Sequence, residues 1–195
     1  MSEYVRYAIY YLPPEGALSE FGAAWLGWSV DAGRAVPQPG VDGIEALTRT
    51  PRKYGFHATL KPPFRLAPGT TPDGLAQAAA RLAAGLAPVT LAALVPGTLG
   101  HFLALVPAAP SAALDALAAR CVADLDCFRA APTQAELNRR RAAGLTAAQE
   151  ANLQRWGYPH VMDGFRFHMT LTGRQDADGL ARAARALAAL YPVRV

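Results

Sequence analysis

The pattern Phe-His-x-Thr-Leu occurs twice in this chain, at residues 56–60 and 167–171. Histidine has an ordinary pKa near ~6.5, so two histidines can divide the roles of base and acid at neutral pH. Chemistry at a phosphate diester needs a base for the attacking oxygen, an acid for the leaving oxygen and donors for the remaining oxygens. The candidate catalytic residues are therefore His57 and His168, and Thr59 and Thr170 are candidates for binding the phosphate.

Apolar and polar residues alternate around both histidines, which predicts that each motif lies on a β-strand. The residues predicted to face a core are Phe56, Ala58, Leu60, Phe165, Phe167, Met169 and Leu171. The opposite face adds a cation to each copy, Lys61 in the first and Arg166 in the second. We include both as candidate partners for phosphate charge, and the alternative is an ordinary solvated cation at a strand end.

A metal site is the competing interpretation of the two histidines, since histidine is a common metal ligand. Neither motif strand contains Asp, Glu or Cys, and the nearest acids are Asp163 and Asp176. A zinc site would have to recruit His101 or His160, for which we expect structural roles. We predict acid–base catalysis by histidine alone, with no metal and no cofactor.

Turn residues, caps and hydrophobic periodicity divide the rest of the chain into short elements. Strands are predicted over residues 4–12, 89–95, 99–106, 165–172 and 192–195, with the first motif strand ending at Pro62-Pro63 and a turn at Pro96-Gly97. Helices are predicted over residues 18–28, 44–47 and 180–190, after Thr71-Pro72 and Ser111, and at capping boxes that begin at Thr133 and Thr146.

The two halves of the chain resemble each other beyond the motifs, because residues 73–79 match residues 178–184 and each match follows a motif strand. We predict an α+β, bilobal internal duplication with two mainly antiparallel sheets, helices outside and a shared central cleft. The single domain, 1–195, would contain lobe one (about 1–97), lobe two (about 98–195) and a helical insertion (about 127–164). A pseudo-two-fold axis would place His57 and His168 on either side of one ligand.

Charge and composition indicate what kind of ligand the protein binds and where in the cell it is located. A net charge of +4 over 195 residues suits a small anionic ligand and lacks the dense basic stripe typical of nucleic-acid coating. Residues 82–114 carry no Asp, Glu, Lys or Arg, but Pro and Gly break them into strand-length pieces, so no membrane helix is expected. No signal peptide is visible, which predicts a cytoplasmic protein. The run Arg139-Arg140-Arg141 is expected on a solvated helix face, with a place in the cleft as the alternative.

The paired motifs resemble the 2H phosphoesterase superfamily, over the whole chain. Residues 54–61 together with residues 165–173 are similar to its bacterial branch associated with phosphonate-utilisation operons. The resemblance implies that His57 and His168 together supply one general base and one general acid, without assigning which is which, and that Thr59 and Thr170 bind phosphate. It also implies that cyclic phosphodiesters are opened, or RNA ends joined or trimmed, without metal.

The sequence therefore predicts a hydrolase: a metal-independent cyclic phosphodiesterase acting on a small ribose-phosphate type substrate, in the setting of phosphonate breakdown. One alternative is an RNA-end 2′,3′-cyclic phosphodiesterase or ligase, with RNA a less favoured partner than a small phosphorylated substrate. Another is a protein that binds a phosphate ligand without catalysis. The sequence does not indicate the oligomeric state.

Overall fold

A computed structural model describes residues 5–142 and 144–191, and it shows an α+β protein, as predicted. The described strands are β1 (Tyr7–Tyr11), β2 (Trp28–Ser29), β3 (Arg34–Ala35), β4 (Ala58–Phe64), β5 (Leu94–Leu99), β6 (Phe102–Pro107) and β7 (Met169–Thr170). The described α-helices are α1 (Ala17–Leu26), α2 (Ile44–Thr48), α3 (Pro72–Ala84), α4 (Ala112–Asp124), α5 (Gln134–Arg141), α6 (Ala147–Trp156) and α7 (Ala177–Leu190). The strand predicted at 192–195 lies outside the described residues.

Side-chain caps start four of the helices where the sequence predicts them. The Thr71 hydroxyl accepts from the Gly74 N–H at 3.1 Å, and the Ser111 hydroxyl accepts from the Leu114 N–H at 3.3 Å. Complete capping boxes at Thr133 and Thr146 start α5 and α6. Each cap satisfies N–H groups that have no partner inside the helix, so these boundaries follow from local sequence.

The chain forms two compact units that alternate along the sequence. Unit 1 takes the described residues up to Tyr10, 59–90 and 111–167; unit 2 takes 11–58, 91–110 and the described residues from His168 onward. These units are a different division from the sequence halves, since each unit draws segments from both halves. The lobes remain a prediction about the repeat in the sequence.

Unit 1 is built on β4 and on the helices that follow it. Its core cluster contains Phe64 from β4, Leu75 from α3 and Leu125 from the end of α4. Partly buried residues from β1 and α3 pack against this cluster, among them Tyr7, Ile9, Ala78 and Leu82.

Unit 2 contains the hairpin β5–β6, strand β7 and helices α1, α2 and α7. Trp25 of α1 is 1% exposed, and its indole N–H donates to the Leu171 carbonyl at 2.9 Å. The Thr172 hydroxyl accepts from the Leu103 N–H at 3.0 Å. These two hydrogen bonds fix the chain that follows β7 and make Trp25 a core residue.

The strand order of the main sheet is β1-β4-β7-β6-β5, and β2 pairs with β3 in a separate ribbon. The two motif strands are direct neighbours, because Ala58 pairs with Met169 in antiparallel register. The expectation of two main sheets, each holding one motif strand, is therefore wrong. Both motifs contribute to one sheet.

Several predicted strand boundaries differ from the structure, and the strand predicted over 89–95 begins only at Leu94. Strand β4 continues through Pro62-Pro63, which is tolerated because β7 has only two residues and its partner in β4 is Ala58, before the prolines. The β5–β6 turn falls at Gly100-His101, where Gly100 has φ +58°, and Gly97 lies inside β5. A Cβ at Gly97 would come within 2.8 Å of Val106, so this glycine permits close cross-strand packing.

Within the part of the chain that the structure describes, no helix is both long and apolar enough to cross a membrane.

Candidate functional site

The paired strands β4 and β7 place both motif histidines in unit 2. Ala58 and Met169 are opposite each other and buried, so continuing the register by one residue places His57 opposite Thr170 on the other face. His168 is then the diagonal neighbour of His57, with Cβ atoms roughly 7 Å apart. Side chains that start this close on one face can both reach a single phosphate group.

Burial confirms the predicted inward face of both motifs, but the alternation stops at Lys61 and Thr172, which are buried as well. The residues predicted to face a core are all at most 8% exposed: Phe56, Ala58, Leu60, Phe165, Phe167, Met169 and Leu171. His57, Thr59, His168 and Thr170 are half-buried. The half-buried set is the one whose side chains could meet a ligand.

The backbone just before β4 orients the His57 ring. His57 Nδ1 lies 3.0 Å from the Gly55 carbonyl oxygen, which can only accept, so Nδ1 carries the hydrogen. In the neutral ring the acceptor is then Nε2. Gly55 has φ +75°, and a Cβ there would overlap the Val30 side chain, so this position requires glycine.

His57 is held towards its neutral form. Burial is the largest influence and lowers the pKa of His57 from its ordinary value, and the charge of nearby His168 lowers it further. The hydrogen bonds between the ring and the backbone of Gly55 and Tyr54 oppose this shift. At pH 7 His57 is therefore a base ready to take a proton.

Aromatic rings flank both histidines. The Tyr54 ring meets His57 edge-on with centroids 5.6 Å apart, and the Phe102 ring of β6 lies 5.7 Å from His168. Sequence reasoning missed Gly55, Tyr54 and Phe102 as supporting residues. The glycine directly before the first motif was a signal in the sequence for a special backbone conformation next to His57. Phe102 could not be found in this way, because it lies near His168 only through the pairing of β6 with β7.

Lys61 is placed in unit 1, where its ammonium is engaged by protein groups. The residue is 2% exposed, and Nζ donates to the Val122 carbonyl at 2.8 Å and to Asp126 Oδ1 at 3.4 Å. Burial lowers the pKa of Lys61, whereas Asp126 raises it. These contacts give the ammonium a structural role, and its predicted contact with phosphate receives no support from them.

Arg166 also lies in unit 1, on an exposed stretch before β7. Its Nη1 donates to the carbonyls of Phe165 at 2.6 Å and Asp163 at 3.2 Å.

Thr59, the first residue of unit 1 after Ala58, lies on the same side of its strand as His57 by alternation. Its role in binding phosphate stays a prediction.

The largest cavity described in unit 2 has a volume of about 650 Å³ and lies beside α1. Its lining includes Glu15, Glu20 and Asp31 and, among the residues described there, no Lys or Arg. Such a lining repels phosphate, so we do not assign the phosphate to this cavity. Across residues 5–142 and 144–191, no group of three or more His, Cys, Asp or Glu is placed to hold a metal ion.

Comparison with known proteins gives a family and two curated relatives. The model of a family described as "Protein of unknown function (DUF1045)" matches residues 59–193. A protein of Janthinobacterium sp. (strain Marseille) named "Ribose 1,5-bisphosphate phosphokinase PhnN" is 42% identical over 173 residues, covering 86% of this chain and 38% of the relative. A protein of Laribacter hongkongensis (strain HLHK9) with the same name is 35% identical over 191 residues, covering 92% of this chain and 44% of the relative. No solved structure matches.

These names correct the predicted activity. Both relatives are named as a phosphokinase, which is a transferase, so the prediction of a cyclic phosphodiesterase and hydrolase is wrong. The chain spans less than half the length of either relative. A phosphorylated small molecule as substrate agrees with the printed names.

Proposed function

We propose that this chain, which belongs to the DUF1045 family, binds a phosphorylated ribose at His57, His168 and Thr170 and takes part in phosphoryl transfer to that sugar. The observation that carries the proposal is the pairing of the motif strands, which gathers these three side chains on one face of one sheet. The sugar follows from the relatives, whose name specifies ribose 1,5-bisphosphate and a phosphokinase.

The electrostatics of the pair suggest a division of labour. His57 is the proton acceptor: its lowered pKa leaves Nε2 unprotonated before the sugar phosphate binds, and the imidazolium formed on binding donates from Nε2 to a phosphate oxygen. His168 and the Thr170 hydroxyl donate hydrogen bonds to phosphate oxygens. Binding a phosphate dianion next to His57 favours its imidazolium form, so binding and proton uptake are coupled.

The motifs also support two finer statements that we keep as proposals. One is membership of the 2H superfamily, from which Thr59 and Thr170 carry over as phosphate-binding residues. The other is an internal duplication, supported by α3 and α7, which follow the two motif strands and share matching sequence. Neither statement restores the hydrolase activity.

The proposal assigns the sugar side of the transfer to this chain. The loop that cradles triphosphates in many kinases ends in Gly-Lys-Ser or Gly-Lys-Thr. The two lysines of this chain follow Arg52 and Leu60, so the Gly-Lys pair does not occur in the sequence. We therefore name no residues for the phosphoryl donor.

Calorimetric titration of the purified chain tests the proposal, with ribose 1,5-bisphosphate, ribose 5-phosphate and ribose as ligands. We expect both phosphorylated sugars to bind and ribose to bind at least 100-fold more weakly, because the site contacts phosphate. His57→Gln and His168→Gln should each weaken binding by about 10- to 100-fold, the loss expected for one hydrogen bond to a charged group. His160→Gln, an exposed histidine in unit 1, is the matched control.

Equal affinity for ribose and its phosphates, or wild-type affinity in both motif variants, would overturn the assignment. A parallel ³¹P NMR assay with ribose 1,5-bisphosphate, Mg²⁺ and ATP measures transfer directly. New diphosphate signals that depend on His57 would support a catalytic role for this chain. Binding without transfer would limit its role to holding the sugar phosphate.

A further inference from the structure

A small cavity inside unit 1 is surrounded by cations. Its volume is about 30 Å³. The charged residues in its lining are Arg6, Lys61, Arg65, Arg129, Arg140 and Glu136. None of these residues belongs to the histidine site described above.

Two carboxylates pair with four of these five cations. Asp126 accepts from both arms of Arg129, at 2.7 and 2.9 Å, and from Lys61. Glu136 pairs with Arg6, and with Arg65 at 3.3 Å. The lining therefore carries an excess of positive charge, and a bound anion would reduce the repulsion among its members.

Arg140 is the cation around the cavity to which no carboxylate is paired within the described residues. Its guanidinium lies 4.4 Å from the centre of the Tyr158 ring. Its Nε is buried and has no hydrogen-bond partner in the part of the chain that is described. Burial lowers the pKa of Arg140; the charges of Arg6 and Arg139 add to that effect, whereas Tyr158 and Glu136 oppose it. A buried donor without an acceptor is costly, so this side chain is suited to a ligand that accepts hydrogen bonds.

We propose that the unit 1 cavity binds a single phosphate group, with Arg140 as its principal ligand. The guanidinium presents several N–H donors in a planar fork that matches an oxyanion, and Tyr158 holds that plane in place. A volume near 30 Å³ accepts a phosphate group and excludes a sugar or a base. The ligand is therefore inorganic phosphate, or the phosphate end of a larger molecule whose remainder stays outside.

The test measures inorganic phosphate binding by calorimetry in the full chain carrying His168→Gln, which weakens the histidine site. We expect phosphate to bind in this background, and Arg140→Met to weaken that binding at least 10-fold. Arg139→Met is the matched control: it removes the same charge from the same helix, from an exposed side chain outside the cavity lining. It should change the affinity less than 2-fold.

Arg140→Lys distinguishes the loss of a phosphate contact from a loss of folding. It keeps the charge but loses the planar fork, so an intermediate affinity with an unchanged thermal midpoint supports the assignment. Competition by ribose 5-phosphate that depends on Arg140 would identify a sugar phosphate as ligand, and binding of inorganic phosphate alone would identify the free ion. Unmeasurable phosphate binding in the His168→Gln chain, or equal affinity in the Arg140 and Arg139 variants, would show that the cavity holds only water.

Discussion

Replacing Lys61 by methionine tests whether its buried ammonium stabilises unit 1 or contacts the ligand. Methionine keeps the length and apolar character of the stem but removes the donor to the Val122 carbonyl, 2.8 Å away. A buried acceptor that loses its donor costs about 1–3 kcal/mol. Asp126 keeps both hydrogen bonds from Arg129, so no carboxylate is left unpaired. We expect Lys61→Met to lower the free energy of unfolding by about 2 kcal/mol.

The reciprocal change should be worse. Asp126→Asn leaves the Lys61 ammonium, 2% exposed, without its counter-charge. Removing one partner of a buried ion pair costs about 3–5 kcal/mol, and the partial exposure of Asp126 places the expected loss near the lower limit. Urea unfolding followed by circular dichroism gives both values, and an unchanged slope with denaturant shows that only stability has changed.

The two roles of Lys61 give opposite results. A structural ammonium lowers stability when it is removed and leaves the affinity for ribose 5-phosphate unchanged. A Lys61→Met chain as stable as the wild type that has lost affinity at least 10-fold would refute the structural role. The contact with phosphate expected from the sequence would then be correct.

Three further predictions follow from local geometry. Gly22→Ala should destabilise the chain by about 1–3 kcal/mol and weaken sugar-phosphate binding, because a Cβ at this position overlaps the Phe56 ring next to His57. Thermal unfolding measures the loss of stability, and calorimetry measures the loss of affinity. The pKa of Glu136 is lowered to about 2, so its carboxylate stabilises the fold fully above the ordinary pKa of about 4.5, and this stabilisation is lost as the pH falls from 4.5 to 2. In urea titrations across this range, Glu136→Gln should remove roughly 1 kcal/mol of the loss in unfolding free energy seen in the wild type. Binding of ribose 5-phosphate at pH 7 should take up protons, since the pKa of His57 starts low and a phosphate raises it; heats measured in buffers of different ionisation enthalpy would be equal if this reasoning were wrong.

Local signals predicted the helices well. The caps at Thr71, Ser111, Thr133 and Thr146 act within four residues of the chain, so they can be recognised without knowing any distant contact. The inward-facing residues of the motif strands were equally predictable, because alternation on a strand is also a local property. Both results depend on neighbours in sequence.

Features set by pairing between distant segments were less predictable. The extent of β7, two residues in place of the eight expected, depends on where β4 and β6 pair with it. The residues of the site face were also incompletely predicted. Alternation places Lys61 on the same face as His57, but the Lys61 ammonium donates to Val122 and Asp126, which are distant in sequence. The hairpin turn lies at Gly100, which has φ +58°, because Pro96 and Gly97 are paired with Leu105 and Ala104 inside the hairpin.

The candidate histidines could be found from the sequence, but their activity could not. The motif identifies two proton carriers and two hydroxyls, and those groups suit several reactions at phosphorus. Choosing among these reactions depends on the second substrate, about which the motif contains no information.

The most direct test of the account is whether one phosphate group contacts both imidazoles. Titrating ¹⁵N-labelled protein with ribose 5-phosphate at pH 7 follows the ring resonances of His57 and His168 by NMR. We predict that both rings shift with the same dissociation constant, that the pKa of His57 rises on saturation, and that ribose causes no shift. A shift of one ring alone, or of neither, would contradict a shared phosphate site.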